Sequence, residues 1–270
     1  MTDRAVYLYC LAEAEPIAGF QGFGLDGDQP VAAILVEGVA AVVSRVRRNL
    51  LPLGDGDLTE DERSRVVALA IRHGEVVEDV FRLSPVLPVR FGTLFRDEDT
   101  VGGLLTTCAG PVRRFLEAAR GRAEWVVKGF LQQDRARRSV IAAEPELAAR
   151  FNELPVAPGL RYLQERRLFA EADRRTSRWV AAMANQVSTV LSDPTIPVRP
   201  LRVSARPDPG LGGPQAYHAA FLVPHEDRGG WLRRLDAATA EFEPRGLKLI
   251  GTGPWPPSDF APDLSRMLQQ

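Results

Sequence analysis

Apolar residues recur along this chain at two spacings, alternate positions and the three-to-four rhythm of an amphipathic helix, and the switches between them mark out its elements. Ala5 to Leu11 is a β-branched and aromatic run bounded by charge, which predicts a first strand. A glycine-rich loop follows. Val31 to Val36 and Val39 to Val43 predict two strands joined at Glu37-Gly38 as a hairpin. Thr59 with Glu62 three residues on makes a capping box, and Val66, Ala70, His73, Val77 and Val80 continue at helical spacing. Ser84-Pro85 stops that helix. Val86 to Phe91 then predicts a strand with Leu87, Val89 and Phe91 on one face. Asp97 is a good N-cap for a second long helix towards Arg120, which Pro111 is expected to kink or split and Gly121 to end.

The second half predicts a strand at Trp125 to Leu131, helices from about Pro145 to Leu191, and strands near Val198 to Ala205 and Tyr217 to Val223. A helix near Trp231 to Phe242 and a strand at Leu247 to Gly251 complete it. Without the segment from Gln132 to Val156 the order is β-α-β-β-α-β, that of a ferredoxin-like domain. Leu160, Leu163, Trp179, Met183, Val187 and Val190 form an apolar stripe along the long helix, read as core packing. The Pro/Gly stretch Pro207 to Pro214 reads as a hairpin loop.

Composition narrows the function more than the fold. With 270 residues, 45% hydrophobic and 26% charged, the chain has the make-up of a soluble globular protein of one large or two ordinary domains. A net charge of −1 argues against general electrostatic affinity for nucleic acid or anionic lipid. Cys10 and Cys108 cannot build a disulfide framework and lack metal-ligand spacing, which fits a reducing cytoplasm. The first residues do not read as a secretory signal, and no apolar run reaches the roughly 20 residues of a membrane span.

The search for chemistry yields little. Gly22, Gly24 and Gly27 match G-x-G-x-x-G, but a strand follows them where a dinucleotide site needs a helix, so they read as a flexible loop. His73 falls on an apolar helix face and reads as a hydrogen-bonded core histidine. No metal motif, serine elbow or paired catalytic carboxylates appear. Arginines between Arg113 and Arg138 make a locally basic stretch, read as a solvated face because exposed aromatics do not accompany them.

Two stretches resist so bland an account. VLPVRFGTLF, residues 86–95, puts Arg90 inside an apolar strand, where a charge needs a partner. GTGPWPPSDF, residues 251–260, ends a last strand in prolines that hold an extended course, with a tryptophan placed to lie on its own domain.

At these stretches the chain resembles the GvpL/GvpF family of gas vesicle proteins. The resemblance rests on Tyr7-Leu8-Tyr9, Ala40 to Ser44, the helix carrying His73, Leu87-Pro88-Val89-Arg90-Phe91-Gly92-Thr93, Glu124 to Lys128, Tyr162-Leu163, and Thr252-Gly253-Pro254-Trp255-Pro256-Pro257. These run in family order over nearly the whole chain. One departure is visible: the family commonly places an aromatic after the paired prolines, and here Ser258-Asp259 precedes Phe260.

The resemblance implies an α+β protein of two domains, a mixed N-terminal domain over residues 1–121 and a modified ferredoxin-like domain over 122–270 with a helical insertion near 132–156. It implies a non-enzymatic accessory protein of gas vesicle assembly, cytoplasmic or on the vesicle, that uses no cofactor or metal. Its partners would be the hydrophobic shell subunit and other accessory proteins. Leu87, Pro88, Arg90, Phe91, Gly92, Gly253, Pro254, Trp255, Pro256 and Pro257 are then expected to be structural, with GPWPP closing the C-terminal domain. The alternative is a small-ligand-binding or regulatory α+β protein.

Overall fold

The computed structural model describes residues 4–51, 59–204, 210, 213–262 and 264. Its contacts divide the chain into two compact units, Met1–Glu124 with Pro254–Gln270, and Trp125–Gly253.

The first unit is organised around β1 (Arg4–Glu13), which is buried from Ala5 to Ala12 because it is central in its sheet and covered on both faces. A short α1 (Ala14–Ile17) leads to the hairpin of β2 (Val31–Val36) and β3 (Val39–Arg47). Its two-residue turn needs positive φ at both positions, and Glu37 (48°) and Gly38 (82°) supply it. Next come α2 (Glu60–Phe81), β4 (Val86–Pro88), β5 (Leu94–Phe95) and α3 (Glu98–Ala119). The sheet order is β2-β3-β1-β4, with β5 also paired to β1.

α2 starts on the expected capping box, Thr59 and Glu62 each bonding the other's backbone N–H. Its Leu69, Val76, Val77 and Val80 pack with Ala5, Tyr7, Tyr9 and Cys10 of β1. On the opposite sheet face, Leu104, Leu105, Cys108, Val112 and Leu116 of α3 pack with Val6, Leu8 and Leu11. A bulge makes this division possible. The β1–β3 register pairs Leu8 with Val43 but Cys10 with Val42, so Tyr9 is an extra residue. Strict alternation would send Tyr9 and Cys10 to opposite faces; the bulge puts both on the α2 side.

Two expectations for this unit change. α3 is not split at Pro111, because buried side chains on both sides of the proline belong to one core cluster and hold the helix across the lost hydrogen bond. The strand expected over Val86 to Phe91 stops at Pro88. The Val89 N–H still bonds Tyr9 O at 3.1 Å, but Thr93 then folds back on the Arg90 carbonyl and Gly92 takes φ 90°. Leu87 and Val89 therefore face the α3 core, whereas Phe91 swings to the α2 core.

The second unit is built on β6 (Arg122–Leu131), which runs into α4 (Gln133–Ala143), α5 (Pro145–Asn152) and the long α6 (Pro158–Leu191). β7 (Val198–Pro200), β8 (Gln215–Pro224), α7 (Arg228–Phe242) and β9 (Leu247–Trp255) follow. The sheet order β7-β8-β6-β9 is the ferredoxin-like one, with α4 and α5 inserted after the first strand. Met183, Val187 and Leu191 of α6 and Trp231, Leu235 and Phe242 of α7 cover one sheet face. Upstream, Leu168 and Ala172 of α6 pack on Val140, Ile141 and Leu147 of the inserted helices. Residues 205–209, 211 and 212 of the expected strand end and Pro/Gly loop lie outside the described residues.

The domain bounds that the resemblance implies put everything after residue 121 in one domain. The contacts instead return the chain to the first unit at Pro254. Ala261 and Leu264 pack against the α3-side core, and the Asp259 N–H donates to Glu124 Oε2 at 2.8 Å, which accounts for the return.

Candidate functional site

The Leu87 to Thr93 stretch is held from below by the α2 face of β1. The Tyr7 hydroxyl lies 2.9 Å from His73 Nδ1 and accepts the Gly92 N–H at 3.0 Å. Burial pushes the Tyr7 and Tyr9 hydroxyls up and takes His73 down to about 4, even though a hydrogen bond with the Val89 backbone opposes that fall. His73 is therefore neutral near pH 7. A neutral ring donates from one nitrogen only, so the Tyr7 hydroxyl and Nδ1 share a single proton between them. Phe91 and Tyr9 close the cluster, with ring centroids 5.9 and 5.7 Å from His73.

Tyr9 is tied separately, its hydroxyl 2.8 Å from Ser44 Oγ. A Cβ on Gly24 would come within 2.5 Å of Ser44 Oγ and 3.1 Å of the Tyr9 hydroxyl. That close approach explains a glycine in the G-x-G-x-x-G match without any nucleotide, since the loop packs on the Tyr9–Ser44 pair.

The two family stretches reach a common place through their neighbours. Pro88, Val89, Arg90, Thr93, Phe95 and Leu104 line one side of a cleft of about 270 Å³, and Ser258, Ala261, Pro262 and Leu264 line the rest. Within it Arg90 is exposed, not buried in a strand as its apolar neighbours suggested, because the strand has already ended. Leu87 is fully buried, Pro88 pairs with Cys10, and Phe91 and Gly92 belong to the histidine cluster. Gly253 is half-buried and Pro254 exposed.

Trp255 is 42% exposed, while Pro256 and Pro257 are buried. The ring is thus more than half covered at the surface, and the paired prolines are the part of the motif that the fold buries. Proline brings apolar area without an N–H to satisfy, so it buries cheaply, whereas an indole N–H needs a partner or water.

Basic residues of the 113–138 stretch are engaged locally. Arg113 donates to the Glu37 carbonyl and Arg120 bonds Glu13, while in the second unit Arg137 bonds Asp173 and Arg135 reaches Glu243. Among the described residues no group of three or more His, Cys, Asp and Glu side chains is placed to hold a metal, and no helix is long and apolar enough to cross a membrane.

The second unit carries a surface that sequence reasoning missed. Val156, Leu160, Tyr162 and Leu163, ahead of and along the first turns of α6, are 94%, 51%, 61% and 56% exposed. Leu160 and Leu163 were expected in the core stripe, but α4 and α5 cover α6 only from Leu168 onward. At about 100° per residue, Leu160 and Leu163 lie about 60° apart on one face of α6 while Tyr162 lies about 160° from Leu160, so an apolar residue off the stripe was the one signal that these turns are not covered as the later ones are. Arg161, Arg166 and Arg167 are exposed among them.

Comparisons with known proteins converge on one family. The profile described as gas vesicle synthesis protein GvpL/GvpF matches residues 5–262. Gas vesicle protein L of Streptomyces sp. (strain CB03234) is 30% identical, over 96% of this chain and 94% of its own length. Gas vesicle protein L2 of Halobacterium salinarum is 27% identical over 96% and 91%. The crystal structure of GvpF from Anabaena sp. PCC7120 matches with a TM-score of 0.65 at 18% identity, over 96% of this chain and 98% of that one. GvpF from Microcystis aeruginosa gives 0.63 at 19% identity, over 96% and 99%.

Proposed function

The chain belongs to the GvpL/GvpF family of gas vesicle synthesis proteins, and from that premise we propose that it binds the hydrophobic shell subunit and escorts it into a forming vesicle. The observation that carries this reading is the exposed apolar pair Leu160 and Leu163 on one face of α6, with exposed Val156 just ahead of the helix and exposed Tyr162 on another face of the same turns. Grouped apolar exposure of this kind is disfavoured on a protein that works alone and marks a contact surface. A subunit with an apolar face self-associates unless that face is covered, and the Leu160 and Leu163 side of α6 offers a cover that is released on joining the shell. The arginines beside it keep the free surface hydrated.

In this reading the protein works in the cytoplasm and at the vesicle, with other accessory proteins, and uses neither cofactor nor catalysis. The Leu87 to Gly92 and Gly253 to Pro257 stretches act as scaffold. A small-ligand function would use an open cleft of the first unit, either the 270 Å³ one beside Arg90 or the one of about 540 Å³ lined by Asp26, Asp28, Arg47, Asn49 and Arg65.

Co-expression with shell subunit followed by affinity capture tests the proposal. Capture is expected to survive chelation and desalting, and to be lost in Leu160→Arg/Leu163→Arg without a change in unfolding midpoint. Capture that disappears on chelation and returns with a metal overturns the cofactor-free reading. Undiminished capture by the double variant overturns the surface.

A further inference from the structure

The edge of the first sheet is open at β2. The Val31 N–H points away from β3 and donates to the Gly22 carbonyl at 2.9 Å, so it faces the outer edge. Backbone groups of an antiparallel strand alternate, which turns the N–H and C=O of Ala33 and Leu35 to the same edge. Among the described residues these groups meet no hydrogen-bonding partner. Leu35 is 49% exposed.

Edges of this kind are normally protected by a charge, a proline, a bulge or a covering loop. β2 reads Val-Ala-Ala-Ile-Leu-Val, and its register with β3 is regular from Val31 to Val36. The loop bond from Gly22 stops at Val31, and the Glu37-Gly38 turn ends the strand at the other side. The free window is therefore Ala33 to Leu35, symmetric about Ile34.

We infer that β2 is a self-association edge, pairing antiparallel with β2 of a second copy about a two-fold axis at Ile34. Ala33 of each strand then exchanges both hydrogen bonds with Leu35 of the other, and Ile34 faces its own counterpart as a non-hydrogen-bonded pair. The register fits at both ends. Val31, whose outer N–H is already taken by Gly22, falls opposite Glu37 of the other strand, where that strand turns away. The strand offers no charge to oppose a copy of itself, which makes an identical strand the occupant its pattern fits.

Cysteine crosslinking reads this register directly. Ile34→Cys places two thiols across the axis at a Cα separation of about 4.5 Å, within disulfide range. Ala32→Cys places them about 13 Å apart along the strands, beyond it. The native Cys10 and Cys108 are fully buried, so an introduced thiol is the accessible one. Under mild oxidation Ile34→Cys is expected to form a covalent dimer at least about tenfold faster than Ala32→Cys, with Leu35→Lys in the same chain abolishing it.

The parent chain, with no cysteine added, is expected to rise towards twice its monomer mass with concentration in sedimentation, and Leu35→Lys alone to stay monomeric with an unchanged unfolding midpoint. Equal crosslinking at positions 32 and 34, or a parent that stays monomeric at every concentration, overturns the inference. So does loss of shell-subunit capture in Leu35→Lys without self-association of the parent, since the edge then serves a different strand.

Discussion

Tyr7 and His73 meet across 2.9 Å, hydroxyl oxygen to Nδ1, and through that contact the central strand of the first sheet holds the turn at Gly92. The hydroxyl works twice, accepting from Gly92 and sharing a proton with the ring. Tyr7→Phe keeps the ring packing and strands both partners. An unsatisfied buried group costs about 1–3 kcal/mol, so urea unfolding is expected to show a loss of that order with an unchanged slope. A midpoint equal to the parent's would mean that water replaces the hydroxyl.

His73 also gives the fold a pH dependence of known sign. Its folded pKa, about 4, lies below its unfolded value near 6.5, so the unfolded chain binds the extra proton first. The stabilisation is complete above pH 6.5 and is lost as pH falls towards 4, by about 3 kcal/mol at most. The neighbouring Tyr7 and Tyr9, both raised by burial, stay protonated throughout. Asp97, held down to about 2 mainly by its bond with the Thr100 side chain, acts below this window. Unfolding free energies between pH 7 and 5 are expected to fall for the parent and to flatten in His73→Phe.

Arg90 is exposed beside the cleft and not inside the apolar strand that its neighbours suggested. Arg90→Met is expected to cost no more than about 1 kcal/mol, the range of a solvent-exposed polar or ionic contact. A loss of about 3–5 kcal/mol by chemical denaturation would show that the guanidinium belongs to a buried pair after all.

What the sequence made legible follows from what local physics decides. The capping box at Thr59, the Glu37-Gly38 turn and the βαββαβ order were readable because each depends on residues close in sequence or on a strong period. The bulge at Tyr9 was not, since one extra residue leaves no mark on an apolar run already buried on both faces. Arg90 was misplaced because an apolar run reads as strand up to its last residue, whereas Pro88 and the Gly92 turn decide where pairing stops. Leu160 and Leu163 kept helical spacing, but which turns are covered depends on α4 and α5, a tertiary fact absent from the period. Of the candidate site, the motifs were legible as segments. Their contact partners, Tyr7 with Gly92 and Glu124 with Asp259, lie 85 and 135 residues away in the chain.

Trp255 now separates two binding surfaces. Half in solvent at the end of β9, it contributes less packing than a core tryptophan, so Trp255→Ala is expected to cost about 1 kcal/mol and not the 3–5 of a buried ring. Removing a buried proline ring next to it is the internal contrast. Pro256→Ala and Pro257→Ala lose packed area and loosen the unfolded chain's constraint, so both are expected to lower the melting temperature more than the tryptophan change does. If the face of Leu160 and Leu163 forms the shell-subunit surface, Trp255→Ala leaves capture intact while Leu160→Arg/Leu163→Arg abolishes it. The opposite pair of results, capture lost with Trp255→Ala at an unchanged melting temperature and kept in the double variant, would move the binding surface to the end of β9. The measurements share one assay and one stability check, so a folding defect in any variant is recognised before its capture is read.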